Sequence, residues 1–382
     1  MEERADALSK RFHGLFGEPP TAMAKGPGRV DLMGGHTDYN EGFVLPVAIN
    51  MEVLAAGRLN EGETIRVYSL NFDAMSEFPL TDIAYDNENK WSNYVRGVTK
   101  FLSEAGVDVR GAEVALEGDV PIGSGLSSSA AIEMAVAALF QNLFGSTIPP
   151  PELALIGQRA ENKFVGINTG IMDQFVSCLG RKDHALFLDC RTLDYEHVPL
   201  ETDGIKIVIC DTMKRRGLVD SEYNSRRAQC EEAAGIFGVK ALRDITVSGF
   251  EKRKRELCEV VQKRARHIVY ENERVLESRE ALGAGDIRRF AELMNESHDS
   301  ARDYYEVSCA ELDAMADAAR NAPGCLSARM VGAGFGGCIA ALVEDASVPE
   351  FLVHTGKEYR NRTGVGPTIY VCTAEDGAGT VS

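Results

Sequence analysis

The segment "PIGSGLSSSAA", Pro121 to Ala131, limits what this chain can fold into more than any other stretch. It lies between a strand-like run, "AEVALEGDV", and an Ala-rich helical run from Ser129 to about Asn142. Glycines at 123 and 125 free the backbone to turn with its N–H groups facing inward, and the serines stand where a helix N-cap belongs. Such a strand, loop and helix make an anion cradle with the positive end of the helix dipole behind it. The same residues also read as a plain Gly/Ser turn that caps a helix, and the segment alone leaves both readings open. No G-x-x-x-x-G-K-S/T motif occurs, which excludes a Walker-type nucleotide site.

The remaining pattern predicts a two-lobed mixture of helices and strands, since 382 residues exceed the range of a single core. Residues 4–16 read as a short amphipathic helix, 42–59 as strand-rich, 63–80 as a hairpin, and 91–106 as a helix stopped by Gly106. Pro149 to Pro151 opens a helix that runs through "PELALIGQRAENKFVG". "HALFLDC" and "YEHVPL" are strands, and "IKIVICDT" opens the second lobe near residue 204. From Ser221 to about Asn321 the chain reads as mainly helical, and a Gly-rich loop at 332–337 separates two short apolar segments. The lobes are therefore drawn as 1–203 and 204–382.

Charge narrows the partners. Lys plus Arg number 41 against 58 Asp plus Glu, and the net charge of -17 repels polyanions, so nucleic acid is not an expected partner. An anionic ligand must then be met by backbone N–H groups, a metal ion, or a few Arg and Lys side chains. The basic run at 251–267 is interleaved with Glu and reads as a solvated helix face. Nine scattered cysteines with no C-x-x-C pair read as reduced thiols of a cytoplasmic protein. The first residues carry no apolar leader, and the longest apolar helical run, Ala130 to Phe140, is interrupted by Glu133 and too short for a bilayer. No membrane association is expected.

Three more segments carry chemistry. "GPGRVDLMGGHTDYNEGFVLPVAI", Gly26 to Ile49, gathers Arg29, Asp31, His36, Asp38 and Tyr39 among glycines. A loop dense in small and polar side chains suits a site that reads hydroxyl groups on a sugar, and a surface loop of the same composition competes with that account. "GINTGIMDQFVSCLG" places Asp173 in an otherwise apolar helical stretch, where a lone carboxylate needs a cation, and Arg29 is the expected partner. "GAGFGG", Gly332 to Gly337, matches a dinucleotide fingerprint formally, but it lies too close to the C-terminus for the βαβ unit that fingerprint requires. Its small residues point instead to close backbone approach.

Together these segments resemble the GHMP kinases, and within them the galactokinase family. "GRVDLMGGHTDYNEGFVLP" is similar to that family's sugar signature GRVNLIGEHTDYNGGFVLP, and the phosphate loop is matched without a gap. "NTGIMDQF" resembles the catalytic segment, "SEYNSRR" the helix that offers a Tyr to the sugar, and "SARMVGAGFGGC" the closing loop. The resemblance implies a two-lobed α+β GHMP kinase fold, with the phosphate loop in the N-terminal lobe and a ferredoxin-like C-terminal lobe. It implies ATP-dependent phosphorylation of the anomeric hydroxyl of D-galactose by a cytoplasmic monomer whose partners are the sugar and ATP. Asp173 would be the base or electrostatic anchor, and Arg29 would hold it ionised and steady the γ-phosphoryl oxygens. ATP would lie on Gly123, Ser124, Gly125, Leu126, Ser127, Ser128, Ser129 and Ala130, with Trp91 and Tyr94 on the adenine side or simply in the core. Ser129 and Glu161 would hold Mg²⁺. Gly35, His36, Asp38, Gly170, Asp173 and Tyr223 would line the sugar.

Two positions depart from the signature: residue 35 is Gly where the family carries Glu, and residue 31 is Asp where it carries Asn. The family's Glu lies against the hydroxymethyl group of the sugar. Its absence keeps D-galactose first, L-arabinose second, and a uronate or broadened specificity third. A sugar-and-ATP sensor is the non-enzymatic alternative. Such relatives have a shortened phosphate loop, whereas Ser127 to Ala131 are all present here.

Overall fold

The run "VAINMEVLAAG", apolar except for Asn50 and Glu52, makes a strand that must be covered on both faces over most of its length, and it becomes the spine of the first sheet. In the computed structural model, which describes residues 2–200, 204–215 and 219–381, that strand is β2 (Phe43–Leu59). The N-terminal elements are α1 (Glu2–Phe16), β1 (Ala22–Met33), β2, β3 (Thr64–Ser69), β4 (Ala74–Pro79), α2 (Ser92–Glu104), β5 (Ala112–Gly118), α3 (Ser128–Phe144), α4 (Pro150–Arg159), α5 (Met172–Leu179), β6 (His184–Asp189) and β7 (Tyr195–Pro199). Then follow β8 (Ile205–Asp211), α6 (Val219–Phe237), α7 (Val247–Arg253), α8 (Glu259–Gly283), α9 (Ile287–Ser300), α10 (Ala310–Arg320), β9 (Cys325–Met330), β10 (Cys338–Glu344), α11 (Val348–Thr363), β11 (Thr368–Cys372) and β12 (Gly379–Thr380).

Among the described residues the first sheet runs β12-β1-β2-β5-β3-β4, with β6 pairing the start of β2 and β7 pairing β6. Only β3 with β5 is parallel. The second sheet, β11-β8-β10-β9, is antiparallel throughout. Its alternation sorts side chains between two cores. Ile205, Ile207 and Ile209 of β8 join the core of the first sheet, while Val208 and Cys210 face the core built with α6, α8 and α10. This sheet is therefore buried on both faces and ties the halves together. The chain also returns: Ala374 bridges to Ile49, and β12 pairs with β1.

The sequence pattern reads 150–166 as one helix, but the structure breaks it. Beyond Arg159 the coil widens into a π-helical turn, Ala160–Val165, closed by Gly166 at φ 92°. The N–H groups of Gly166 and Ile167 both return to the Glu161 carbonyl, at 2.9 and 3.1 Å. One such turn re-aims a side chain without ending the helix's packing, and here that side chain is Glu161. No helix among the described residues is long and apolar enough to cross a membrane.

Candidate active site

Arg29 and Asp31 lie two residues apart on β1, so both point to one face. Asp173 enters from the first turn of α5. Arg29 Nε and Nη2 donate to Asp173 Oδ1 and Oδ2 at 2.8 and 2.9 Å, and Nη1 donates to the Gly125 carbonyl at 2.6 Å. The guanidinium is buried. It thus joins β1, α5 and the phosphate loop through a geometry that Lys could not reproduce.

The loop itself stands in left-handed backbone at Gly123 (φ 72°), Gly125 (φ 92°) and Ser127 (φ 57°). The sequence places a serine cap at the start of α3, and the structure corrects the use made of it. Ser127 makes no side-chain cap, and its hydroxyl donates to Asp173 Oδ2 instead. The first N–H groups of α3 therefore face outward without a side-chain cap, which suits a phosphate oxygen. Ser124 turns its hydroxyl inward to the Pro121 carbonyl at 2.7 Å, while Leu126 and Ala130 are buried props and Ser128 and Ser129 are half-buried. Gly26 and Gly28 explain how close this assembly lies to β1. A Cβ at 26 would come within 2.6 Å of Ala135 N, and one at 28 within 2.8 Å of the Leu126 carbonyl.

Beside the loop a small apolar cleft is lined by Phe72, Trp91, Ile122 and Ser128 among others. Phe72 and Trp91 lie nearly parallel, at 11° with centroids 6.1 Å apart, and Phe72 and Ile122 are exposed. Tyr94, one turn along α2, stands outside this lining. Phe72 escaped the sequence reading, because an aromatic at a hairpin tip carries no periodic signal.

A second cleft, of about 240 Å³, is lined by Arg29, Asp31, His36, Asp38, Tyr39, Thr169, Gly170, Asp173, Tyr223 and Gly332, with neighbours of these residues. His36 adopts φ 68°, and its Nδ1 meets the Tyr39 hydroxyl at 2.9 Å, which in turn meets the Tyr305 hydroxyl at 2.7 Å. Tyr223 of α6 packs on Tyr39 with ring centroids 4.9 Å apart. In "SEYNSRR" the side chains of Ser221 and Glu222 lie outside the described residues. Gly170 is compulsory, since even a Cβ would fall against the Asp38 carboxylate. Burial, and then the Asp173 charge, push the Asp38 carboxyl up to about 7. Gly35 is not brought to this lining. It sits behind it, with its carbonyl 3.2 Å from His267 Nε2.

Glu161 is 3% exposed, and its Oε2 accepts from Thr169 Oγ1 at 3.0 Å and Gln174 Nε2 at 2.7 Å. Burial raises its pKa, the Asp173 charge adds to that, and a hydrogen bond from Ser129 opposes it. Gln174 Nε2 also donates to Glu133 Oε2 at 2.9 Å. No group of three or more His, Cys, Asp or Glu side chains able to hold a metal occurs among the described residues. A cation here would therefore take a carboxylate and a hydroxyl from the protein and its other oxygens from a ligand or water.

Three family models match the chain: GHMP kinases N terminal domain over residues 93–181, galactokinase galactose-binding signature over 10–59, and GHMP kinases C terminal over 278–359. A galactokinase of Chloroflexus aggregans is 45% identical over 375 residues, 97% of this chain and 96% of its own length. The crystal structure of Lactococcus lactis galactokinase complexed with galactose superposes with a TM-score of 0.95 at 38% identity, covering 99% of this chain and 100% of that one. The mevalonate kinase of Methanococcus jannaschii, 18% identical with a TM-score of 0.66 over 93% of this chain and 99% of that one, shares the fold alone.

Proposed function

This chain belongs to the galactokinase family of the GHMP kinases and has their two-lobed α+β fold, and on that premise we infer that it transfers the γ-phosphoryl group of ATP to the anomeric hydroxyl of D-galactose. The observation that carries the site assignment is the bidentate Arg29–Asp173 pair, set where the phosphate loop meets the larger cleft.

In that reading the uncapped start of α3 and the turned N–H groups of 123–127 hold the phosphates. Asp38, His36 and Tyr223 position the sugar, with Gly170 leaving Asp38 its room. Asp173 accepts a hydrogen bond from the anomeric hydroxyl and aims its oxygen at the γ-phosphorus. The new bond joins that oxygen to phosphorus, the bond from γ-phosphorus to the bridging oxygen breaks, and ADP leaves. The hydroxyl proton passes to Asp173 and from there to solvent. Arg29 holds the carboxylate and faces the equatorial oxygens, where charge collects in the transition state. Trp91 with Phe72 offers a flat apolar site for adenine, and Tyr94 supports α2 from outside that site.

The residues present fit Mg²⁺. Glu161 is a buried carboxylate that a cation would relieve of its desolvation, and Ser129 supplies a second hard oxygen. When bound there, the ion supplies charge neutralisation at the β- and γ-phosphates. We divide the chain at the switch to the second sheet, 1–203 and 204–382, with β12 lent back to the first. The enzyme is read as a cytoplasmic monomer with the sugar and ATP as its partners; nine free thiols support a reducing compartment.

Phosphorus NMR of a reaction with ATP and D-galactose tests this reading. The expected spectrum shows ADP and a phosphate coupled to the anomeric proton of galactose. No sugar phosphate, or a kcat/KM for L-arabinose well above that for D-galactose, would overturn it.

A further inference from the structure

The two departures from the sugar signature, Asp31 and Gly35, meet on a single side chain, Arg329. That guanidinium is 2% exposed, at the end of β9. Nη1 donates to the Asp31 carbonyl at 2.7 Å, Nη2 lies 3.6 Å from Asp31 Oδ2, and Nε has no partner among the described residues. A side chain at position 35 would begin 2.9 Å from Nη2 and 3.8 Å from Asp31 Oδ2. A carboxylate from 35 and the carboxylate at 31 would thus address the same buried cation, and of these two positions this chain uses 31; the buried Glu271, paired with Arg274, also feels the Arg329 charge.

Asp31 is only 1% exposed, and the little surface it keeps lies at the wall of the larger cleft. Oδ1 accepts the Gly332 N–H at 2.8 Å, whereas Arg329 Nη2 stands 3.6 Å from Oδ2, too far for a strong hydrogen bond. Oδ2 therefore keeps lone pairs for a ligand. Arg29 and Asp31 pair in unbroken register with Ala48 and Pro46. Their side chains are spaced about 7 Å along one face of β1. That spacing is close to the width of a pyranose ring, with Asp173 at the Arg29 end.

Resting on the kinase reading above, the geometry points to Asp31 as a further specificity-determining residue: its carboxylate accepts a hydrogen bond from a sugar hydroxyl remote from the anomeric one. Arg329 is the buried counter-charge that positions it, and Gly35 is its matched partner. A second carboxylate at 35 would contest the guanidinium and push Asp31 off its acceptor geometry.

The test is a double-mutant cycle of Asp31→Asn, Gly35→Glu and the two together, read by galactose KM, kcat and Tm, with deoxygenated galactoses run on the wild type and Asp31→Asn. Asp31→Asn is expected to raise the galactose KM about ten- to hundredfold, the worth of a hydrogen bond to a charged acceptor, with kcat much less affected. One deoxy analogue should be penalised by the wild type and not by Asp31→Asn, which identifies the hydroxyl. The double variant, again with one carboxylate from positions 31 and 35, should recover most of the loss in KM and in Tm. A wild-type KM in Asp31→Asn, unchanged discrimination among the deoxy sugars, or a double variant no better than the poorer single would overturn the proposal. If a single variant does not fold, recovery of folding in the double supports the coupling and its failure refutes it. An inactive wild type would instead sink the kinase reading, leaving the Tm cycle interpretable.

Discussion

Replacing Gly170 by Ala isolates what the sugar cleft demands of its backbone. The added methyl would overlap the Asp38 carboxylate, and even Asp38 Cβ would be only 2.9 Å away. Carbon atoms prefer 3.5–4.0 Å, so Asp38 or the 166–170 loop must move by about 1 Å or more. A hydrogen bond from a sugar hydroxyl to a carboxylate does not survive that displacement, and its loss is worth about 1.5–3 kcal/mol. The galactose KM should therefore rise about ten- to hundredfold. The KM for ATP should stay near wild type, because the three atoms nearest to the added methyl all belong to Asp38. The loop is half-exposed, so stability should fall by no more than about 1 kcal/mol. Initial rates from coupled ADP release over a galactose series, with Tm from calorimetry, decide the matter. A galactose KM within twofold of wild type would refute the reasoning.

Three more outcomes are expected. Asp38 carries a folded-state pKa of about 7 against an ordinary 3.8, so between those values the folded state retains a proton the unfolded chain has lost. Its contribution to stability is then fully present below pH 3.8 and lost as pH rises through 7, whereas sugar binding to the ionised form strengthens over the same rise. Comparing urea midpoints and galactose kcat/KM of wild type and Asp38→Asn from pH 5 to 8 should show both trends in the wild type alone. Glu161→Gln should raise the Mg²⁺ concentration needed for half-maximal rate about tenfold or more, without a matching fall in Tm. Arg29→Lys, which breaks the bidentate pair and the tie to Gly125, should lower kcat about a hundredfold or more; a kcat near wild type would show the fork to be dispensable.

The sequence carried the local elements well because their signals are local. The short apolar run "IKIVICD" and the Ala-rich run after Ser128 are read from neighbouring residues alone, and the second sheet buries both faces of that strand as a continuous apolar run requires. Arg29 with Asp173 was legible for a different reason: a lone carboxylate in an apolar stretch needs a cation, and Arg29 stands in the other segment that gathers polar side chains among glycines. What stayed hidden depends on contacts between distant residues. Nothing in "GPGR" says that Gly26 and Gly28 serve the approach of α3 and Leu126 rather than a sugar. Arg329 reaches Asp31 across 298 positions, and Tyr305 reaches Tyr39 across 266. The serine cap expected of this loop is not made at Ser127, because Asp173, from another helix, takes that hydroxyl.

The most direct measurement is turnover of Asp173→Asn alongside its affinities. Asn keeps the size of the side chain but removes the charge that Arg29 and Ser127 hold. Galactose and ATP should each bind within several-fold of wild type by calorimetry, while kcat falls by about 10²–10⁴ or more. A near-wild-type kcat with intact binding would contradict the claim that this carboxylate aims the anomeric oxygen at phosphorus.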